Sequence, residues 1–238
     1  MAGTNIKGGM AIMTGRDAEH VHVLRLRPGE DMIICDGQGT DYKCRLVKAD
    51  KEQVEAEVVE VVRCPAEPSV KVTVLCGLPK GDKTDYIIQK CVEAGAYEIL
   101  FFQSSRCVAK PEKPEKKLER WQRIAEEAAK QSGRGIIPQV GWAGDFTAML
   151  DIAVKKDLGL FMYETGEREA LDAVLGTNRE AKTAAIITGP EGGFQPFEAE
   201  LARICGLHLC SMGERILRCE TAPVVALTAA MYATGNLS

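Results

Sequence analysis

From Val70 onward, short unbroken apolar runs alternate with segments of helical spacing, and few folds accommodate that rhythm. "VKVTVLCGLP" is apolar almost throughout, as a strand buried on both faces must be. "DKTDYIIQKCVEAG" then has helical spacing, with Asp82 placed as N-cap and Gly95 just beyond the C-terminus. Next come strand "YEILFFQS", helix "PEKKLERWQRIAEEAAKQSG" opened by Pro114 and closed by Gly133, and short strand "IIPQVG". Helix "FTAMLDIAVKK", strand "LGLFMYE", helix "EREALDAVLG" and strand "AAIITGP" follow. Helix "PFEAELARICG", with Pro196 in its first turn, strand "LHLCSMG" and a final apolar helix in "ETAPVVALTAAMYATG" complete the series. This alternation predicts an α/β domain with a mostly parallel sheet, whose ligands bind beyond the carboxyl ends of the strands.

The preceding part reads differently. "HVHVLRLRPGEDMIICDGQGTDYKCRLVKADKEQVEAEVVEVV" alternates apolar and polar residues, interrupted by the turn signals "RPGED", "CDGQGTD" and "KADKEQ". Asp36-Gly37 predicts a type I′ hairpin turn, whose two central residues both need positive φ. Arg25 and Arg27 alternate with Leu24 and Leu26, which predicts that the two arginines share one face of a strand. Strands this short and closely spaced predict a small barrel or sandwich. "RCPAEPS" breaks the pattern, and the domain boundary is placed there, dividing the chain into 1–68 and 69–238.

Composition narrows the function classes. No apolar run approaches the roughly 20 residues that a membrane span needs. The opening "MAGTNIKGGMAIMTGRDAEH" has no charged segment leading into an apolar one, so a cytoplasmic protein is expected. None of the nine cysteines forms a C-x-x-C pair, and with three histidines the expectation is reduced core thiols and no metal site. A net charge of −4 argues against nonspecific coating of nucleic acid but leaves room for local basic patches.

Two loops carry the chemistry. "ITGPEGGF" ends a strand on Gly189, Pro190, Glu191, Gly192 and Gly193. It lacks the lysine of a phosphate-binding P-loop, and it comes too late and with the wrong spacing for a dinucleotide fingerprint. Two readings stay open: bare peptide planes on which a flat ligand rests, or a plain strand–turn–helix connection. "LCSMGERILRCETAPVVAL" again ends a strand on glycine and passes Arg215, Arg218 and Glu220 before a helix with Pro223 in its first turn. Arg218 and Glu220 fit an ordinary capping pair, but an arginine just before a helix N-terminus opposes the helix dipole, which points to placement for a ligand or partner.

Together, "ITGPEGGF" and "SMGERILRCETAPVVAL" resemble the paired signature of the SPOUT, or α/β-knot, methyltransferases. More narrowly, with "LPKGDKTDYIIQKCVEAGAYEILFFQSSRCVAK" and "EHVHVLRLRPGEDMIICDGQG", the chain is similar to the ribosomal RNA small-subunit methyltransferase E family from about Gly15 to its last residues. The resemblance implies an N-terminal PUA-like β-barrel that binds RNA. It also implies a C-terminal domain whose last strands and helix are threaded as a deep trefoil knot. It further implies S-adenosylmethionine held by Thr188, Gly189, Pro190, Glu191, Gly192 and Gly193 on one side. Leu209, Met212, Gly213, Ile216, Leu217 and Arg218 would lie on the adenine side, with Thr221 and Ala222 starting the final helix and "FMYE", Phe161 to Glu164, contributing nearby. The implied reaction methylates N3 of a uridine in 16S rRNA, on the 30S subunit, by a homodimer with its active site at the subunit interface. Arg218 would stabilise the charge spreading onto the uracil oxygens, and Glu220 would orient it or help move the proton.

RNA phosphates need cations. Lys80, Lys83 and Arg106 near strand ends are candidates, as are His22, Arg25 and Arg27 in the barrel. "AKPEKPEKKLERWQR", with Lys110, Lys113, Lys116, Lys117, Arg120 and Arg123, fits a solvated helix face. The chain departs from the family at its start, where an Arg-Phe-Phe type segment is absent; this predicts a barrel one strand short. Two rival readings are a SPOUT methyltransferase acting on transfer or large-subunit RNA, and a non-catalytic RNA-binding assembly factor. The intact glycine loops with Arg218, Glu220 and Thr221 speak against the second. A nicotinamide oxidoreductase lacks its fingerprint.

Overall fold

The computed structural model describes residues 4–109 and 114–237, without the side chains of residues 114–116. Lys110 and Lys113 of the basic run therefore lie outside the described residues, as does the Lys116 side chain. The chain divides into two compact units, Met1–Glu67 with Gly133–Ile136, and Pro68–Ser132 with Ile137–Ser238. Gly133–Ile136, which the boundary expected at 68/69 leaves in the second domain, belongs to the first unit.

In the first unit, β1 (Thr4–Lys7), β2 (Met10–Thr14), β3 (Asp31–Cys35), β4 (Thr40–Ala49) and β5 (Gln53–Arg63) form an antiparallel sheet in the order β1-β2-β5-β4-β3. The expected missing strand is corrected here, because Thr4–Lys7 and Met10–Thr14 pair as a hairpin. Gly8 and Gly9 take the left-handed conformation that so tight a turn needs, at φ 60° and 78°.

A second correction concerns "HVHVLRLR". Gly15–Val23 is a helix, α1, rather than a strand. Ala18 and Val21, three apart, lie buried on one helical face, while Val23 is 76% exposed, although a strand would have buried Val21 and Val23 together. Arg25 and Arg27 consequently share no strand face. Arg25 sits just past the helix at φ 56°, and the Arg27 N–H donates to Glu30 in the following turn. His22 Nε2 donates to the Asp50 carbonyl at 2.8 Å. The β3–β4 hairpin forms, but positive φ falls on Gly37 and Gly39 and not on Asp36. Asp36 instead accepts from the N–H groups of Gln38 and Thr40 through its side chain, so the connection is an Asx-stabilised loop rather than a type I′ turn.

The second unit contains β6 (Lys71–Gly77), α2 (Lys83–Glu93), β7 (Glu98–Gln103), α3 (Pro114–Gln131), β8 (Gln139–Asp145) and α4 (Phe146–Ala153). β9 (Leu158–Met162), β10 (Glu169–Ala170), α5 (Leu171–Thr177), β11 (Thr183–Thr188), α6 (Pro196–Ile204), β12 (His208–Ser211) and α7 (Ala222–Ala233) follow. All strand pairs are parallel, in the order β10-β12-β9-β11-β6-β7-β8. The sequence pattern runs Glu169 and Ala170 into a helix; they pair with Cys210 and Ser211 instead, and the helix starts at Leu171. Asp82 occupies the N-cap of α2 without a capping side-chain bond.

Strand residues alternate between two apolar layers, as the period of two requires. Val72, Val74, Leu160 and Ile186 face α2, α3, α5 and α7. Leu75, Phe161, Ala185 and Ile187 face α4 and α6. After β8 the chain crosses back over β6 to lay down β9, inserts β11 between β9 and β6, and places β12 outside β9. This reversal of strand order gathers the carboxyl ends of β6, β9, β11 and β12, the kind of switch point at which open α/β sheets bind ligands.

Candidate cofactor and catalytic site

A cleft of about 440 Å3 opens at the ends of β9, β11 and β12. One wall is the loop after β11, where Gly189, Pro190, Glu191 and Gly193 line it. The opposite wall is the loop after β12, with Met212, Gly213, Arg215, Ile216, Leu217, Arg218 and Cys219, and Ala222 opens α7 beneath. The floor comes from Met162, Tyr163 and Glu164 at the end of β9.

The glycines act through absent Cβ atoms. Gly193 has φ 64°, and a Cβ there would stand 2.4 Å from Glu164 Oε1. Gly77 at the end of β6 lets Pro190 pack on its backbone, where a Cβ would meet Pro190 Cδ at 2.5 Å and Pro190 N at 2.7 Å. Gly77→Ala is expected to push the glycine loop outward and destabilise the second unit by about 1–3 kcal/mol, measured by hydrogen exchange across β6, β9 and β11. Unchanged stability would mean that the loop yields freely.

That loop is braced at both ends. Phe194 is buried, its ring centroid 4.2 Å from that of Phe161. Glu198, fully buried on α6, accepts from Gln195 N at 2.8 Å and from Ser105 N at 2.9 Å, forming a capping box that also ties in the loop after β7. Arg106 donates to the Gly192 carbonyl at 2.9 Å and to Gln195 Oε1 at 3.2 Å.

Charge at the mouth of the cleft is organised around Lys83. Its ammonium donates to Glu191 Oε1 at 3.0 Å and to Cys219 Sγ at 3.5 Å, and stands 3.3 Å from Glu220 Oε2. The Lys80 N–H also donates to Glu191 Oε1, at 2.9 Å. The hydrogen bond to Glu191 is the main cause holding Lys83 above its ordinary pKa. Burial alone would raise the Glu191 carboxyl, but hydrogen bonds from Lys80, its own N–H and Lys83 outweigh it and the pKa falls. Glu220 is lowered in the same way, burial being outweighed by bonds from its own N–H, the Cys219 thiol and Lys83. The Cys219 thiol is pushed up to about 12, first by burial and then by its bond to Glu220. Glu191 has a folded pKa below its ordinary 4.5, so its stabilisation is complete above that pH and is lost as pH falls through the folded value. The difference in melting temperature between the wild type and Glu191→Gln is expected to shrink once pH falls below about 4.5. A difference independent of pH would show that the Glu191 charge contributes nothing.

Several expected residues lie elsewhere. Thr188 is buried at the end of β11, its hydroxyl directed to Cys76 Sγ at 3.5 Å. Leu209 packs inward on β12, Gly192 turns its carbonyl to Arg106, and Thr221 is the N-cap of α7 with its N–H on the Arg218 carbonyl. None of these four lines the cleft. Phe161 is core, whereas Glu164 of the same "FMYE" stretch reaches the cleft. Glu220 pairs with Lys83 and not with Arg218, whose guanidinium is exposed and joins none of the ion pairs among the described residues. Lys83 and Arg106, read as phosphate ligands, brace the loops, while the Lys80 side chain is exposed. Sequence reasoning missed Cys210 and Ser211 as cleft residues; their position at the end of β12, paired with β9, was the available signal.

The RNA methyltransferase domain family matches residues 66–231, and the RNA methyltransferase PUA domain family matches residues 13–59. The ribosomal RNA small subunit methyltransferase E of Bacillus subtilis (strain 168) is 38% identical over 231 residues, covering 93% of this chain and 90% of that protein. The protein of the same name from Mycobacterium tuberculosis is 32% identical over 232 residues, covering 93% and 86%. The crystal structure of a ribosomal RNA small subunit methyltransferase E from Neisseria gonorrhoeae, bound to S-adenosyl methionine, superposes with a TM-score of 0.79 at 31% identity, covering 96% and 94% of the two chains. A Legionella pneumophila methyltransferase structure in complex with the same cofactor gives 0.79 at 26% identity, covering 97% and 95%. With the cleft at its strand ends and both domains matched, the chain belongs to the ribosomal RNA small subunit methyltransferase E family.

Proposed function

We propose that the protein transfers a methyl group from S-adenosylmethionine to N3 of a uridine in 16S rRNA of the 30S subunit, in the cytoplasm and as a homodimer. One observation carries the reading: a glycine-walled cleft at three strand ends is lined by an exposed Arg218 that joins none of the ion pairs among the described residues. The cleft suits the cofactor. Its volume of about 440 Å3 falls in the roughly 300–1,000 Å3 of small-ligand sites. Met162, Met212, Ile216 and Leu217 offer apolar faces to an adenine. Ile216 and Leu217 make no backbone–backbone hydrogen bonds among the described residues, which leaves their peptide groups for the base edge. The Glu164 carboxylate places negative charge in the cleft, complementary to a cationic ligand. When bound, S-adenosylmethionine supplies an electrophilic methyl group.

Uridine N3 carries a proton and is a poor nucleophile until that proton leaves, passed to solvent directly or by way of the Glu220 carboxylate. Arg218 is assigned to the negative charge that then spreads over O2 and O4. Glu220, paired with Lys83 at 3.3 Å, holds the loop that carries Arg218. Lys80, His22, Arg25 and Arg27 remain the assigned phosphate contacts. The trefoil threading of the last strand and helix belongs to the same proposal. So does the homodimer, which is supported by the outward face of α7, where Val225 is 40% and Tyr232 77% exposed beside a depression of about 1240 Å3. Labelled methyl transfer to 30S subunits, free 16S rRNA and transfer RNA in parallel, with mapping of the modified base, tests the reading. Label at a uridine N3 of 16S rRNA supports it; label confined to transfer RNA overturns it.

A further inference from the structure

The two cofactor walls have no sheet pairing between them. The loop after β11 and the loop after β12 leave strands separated by β9, so no ladder hydrogen bond can fix one against the other. Lys83 crosses that gap. It stands at the first position of α2, and α2 is anchored by Thr84, Ile87 and Ile88, all buried. From there its ammonium reaches Glu191 on the first wall and both Cys219 and Glu220 on the second. An ammonium has three donors, and these are three partners. The side chains are only 31%, 34% and 20% exposed at Lys83, Glu191 and Glu220, so solvent does not fully screen the attraction.

We infer that Lys83 is a positioning residue, a clamp that holds the two walls at the separation the cofactor needs before it arrives. Without the ammonium, Glu191 and Glu220 would face each other as uncompensated carboxylates and drive the loops apart. The lowered pKa of both carboxylates agrees with this, since Lys83 contributes to each beside the backbone and thiol hydrogen bonds. The clamp acts through the loops and needs no contact with the transferred methyl group. It also explains why Glu191 is not free to meet a ligand cation. The inference rests on the cofactor reading above.

The test uses the full chain, with S-adenosylmethionine as the calorimetric probe and amide hydrogen exchange on the cofactor-free protein. Lys83→Met is expected to bind the cofactor roughly 10- to 100-fold more weakly, the range for loss of charged hydrogen bonds. In the free protein, exchange should quicken at residues 190–193 and 213–220 and stay slow in β6, β9 and β11. Lys83→Arg should recover much of the binding, because a guanidinium can still bridge two carboxylates. Lys83→Met that binds as the wild type overturns the clamp. So does exchange that quickens evenly through the second unit, or Lys83→Arg no better than Lys83→Met. A wild type that takes up no cofactor overturns the cofactor reading instead, and the exchange pattern still decides whether Lys83 holds the loops.

Discussion

Arg218→Ala is expected to transfer methyl groups about 100- to 1000-fold more slowly than the wild type, while binding S-adenosylmethionine almost as well. The guanidinium is exposed and joins none of the ion pairs among the described residues, so its removal breaks none of them. Its backbone role survives truncation: the Arg218 carbonyl accepts from Thr221 N and Ala222 N, both at 2.9 Å, and so begins α7 whatever the side chain. In the proposed mechanism what disappears is the cation assigned to the developing uracil anion, and that loss belongs in the chemical step. Single-turnover methyl transfer to 30S subunits separates this from RNA affinity. Arg215→Ala is the internal control, a second exposed arginine on the same wall. If general positive charge were enough, the two variants would fall equally. A full rate in Arg218→Ala removes Arg218 from the mechanism.

Glu67→Ala is expected to destabilise the first unit by about 3–5 kcal/mol. Glu67 and Arg134 have side chains only 5% and 3% exposed. The carboxylate accepts from Arg134 Nε at 2.8 Å, Arg134 Nη2 at 2.9 Å and Ile136 N at 2.9 Å. Truncation leaves a buried guanidinium and a peptide N–H without that acceptor. Because the chain has two units, one global transition would blend their stabilities, so hydrogen exchange across β3, β4 and β5 is the suitable readout. Replacing both partners, Glu67→Leu with Arg134→Met, should recover much of the loss, since a buried pair is costly chiefly when half of it remains. A single variant within 1 kcal/mol of the wild type would show that water relieves the orphaned charge.

That pair also marks the limit of local reasoning. "RCPAEPS" announced a break by its two prolines, and the units do separate between Glu67 and Pro68. Nothing in "SGRGIIPQVG" announces that Gly133–Ile136 returns to the first unit. The reasons are contacts between residues far apart in the chain: Gly39 N donates to the Gly135 carbonyl at 2.9 Å, and Cys35 Sγ to the same oxygen at 3.2 Å. A Cβ at position 135 would lie 2.4 Å from Cys64 Cβ, so glycine is required by a neighbour that sequence spacing does not reveal.

The parallel sheet was legible because burial on both faces leaves an unbroken apolar run, and each helix of α2, α6 and α7 carries its own boundary chemistry in glycine or proline. The two polar loops were legible as strand ends for the same reason. "HVHVLRLR" misled because a period-two pattern of apolar residues also fits a helix that buries only Ala18 and Val21. Local sequence determined which segments are strands of the large sheet and which loops cap them. Tertiary structure alone decided that Lys83 meets Glu191 and Glu220, that Arg106 supports Gly192 and that Arg218 joins no ion pair among the described residues. Those pairings depend on the order in which strands are laid side by side, and a charge finds its partner across the sheet, not along the chain.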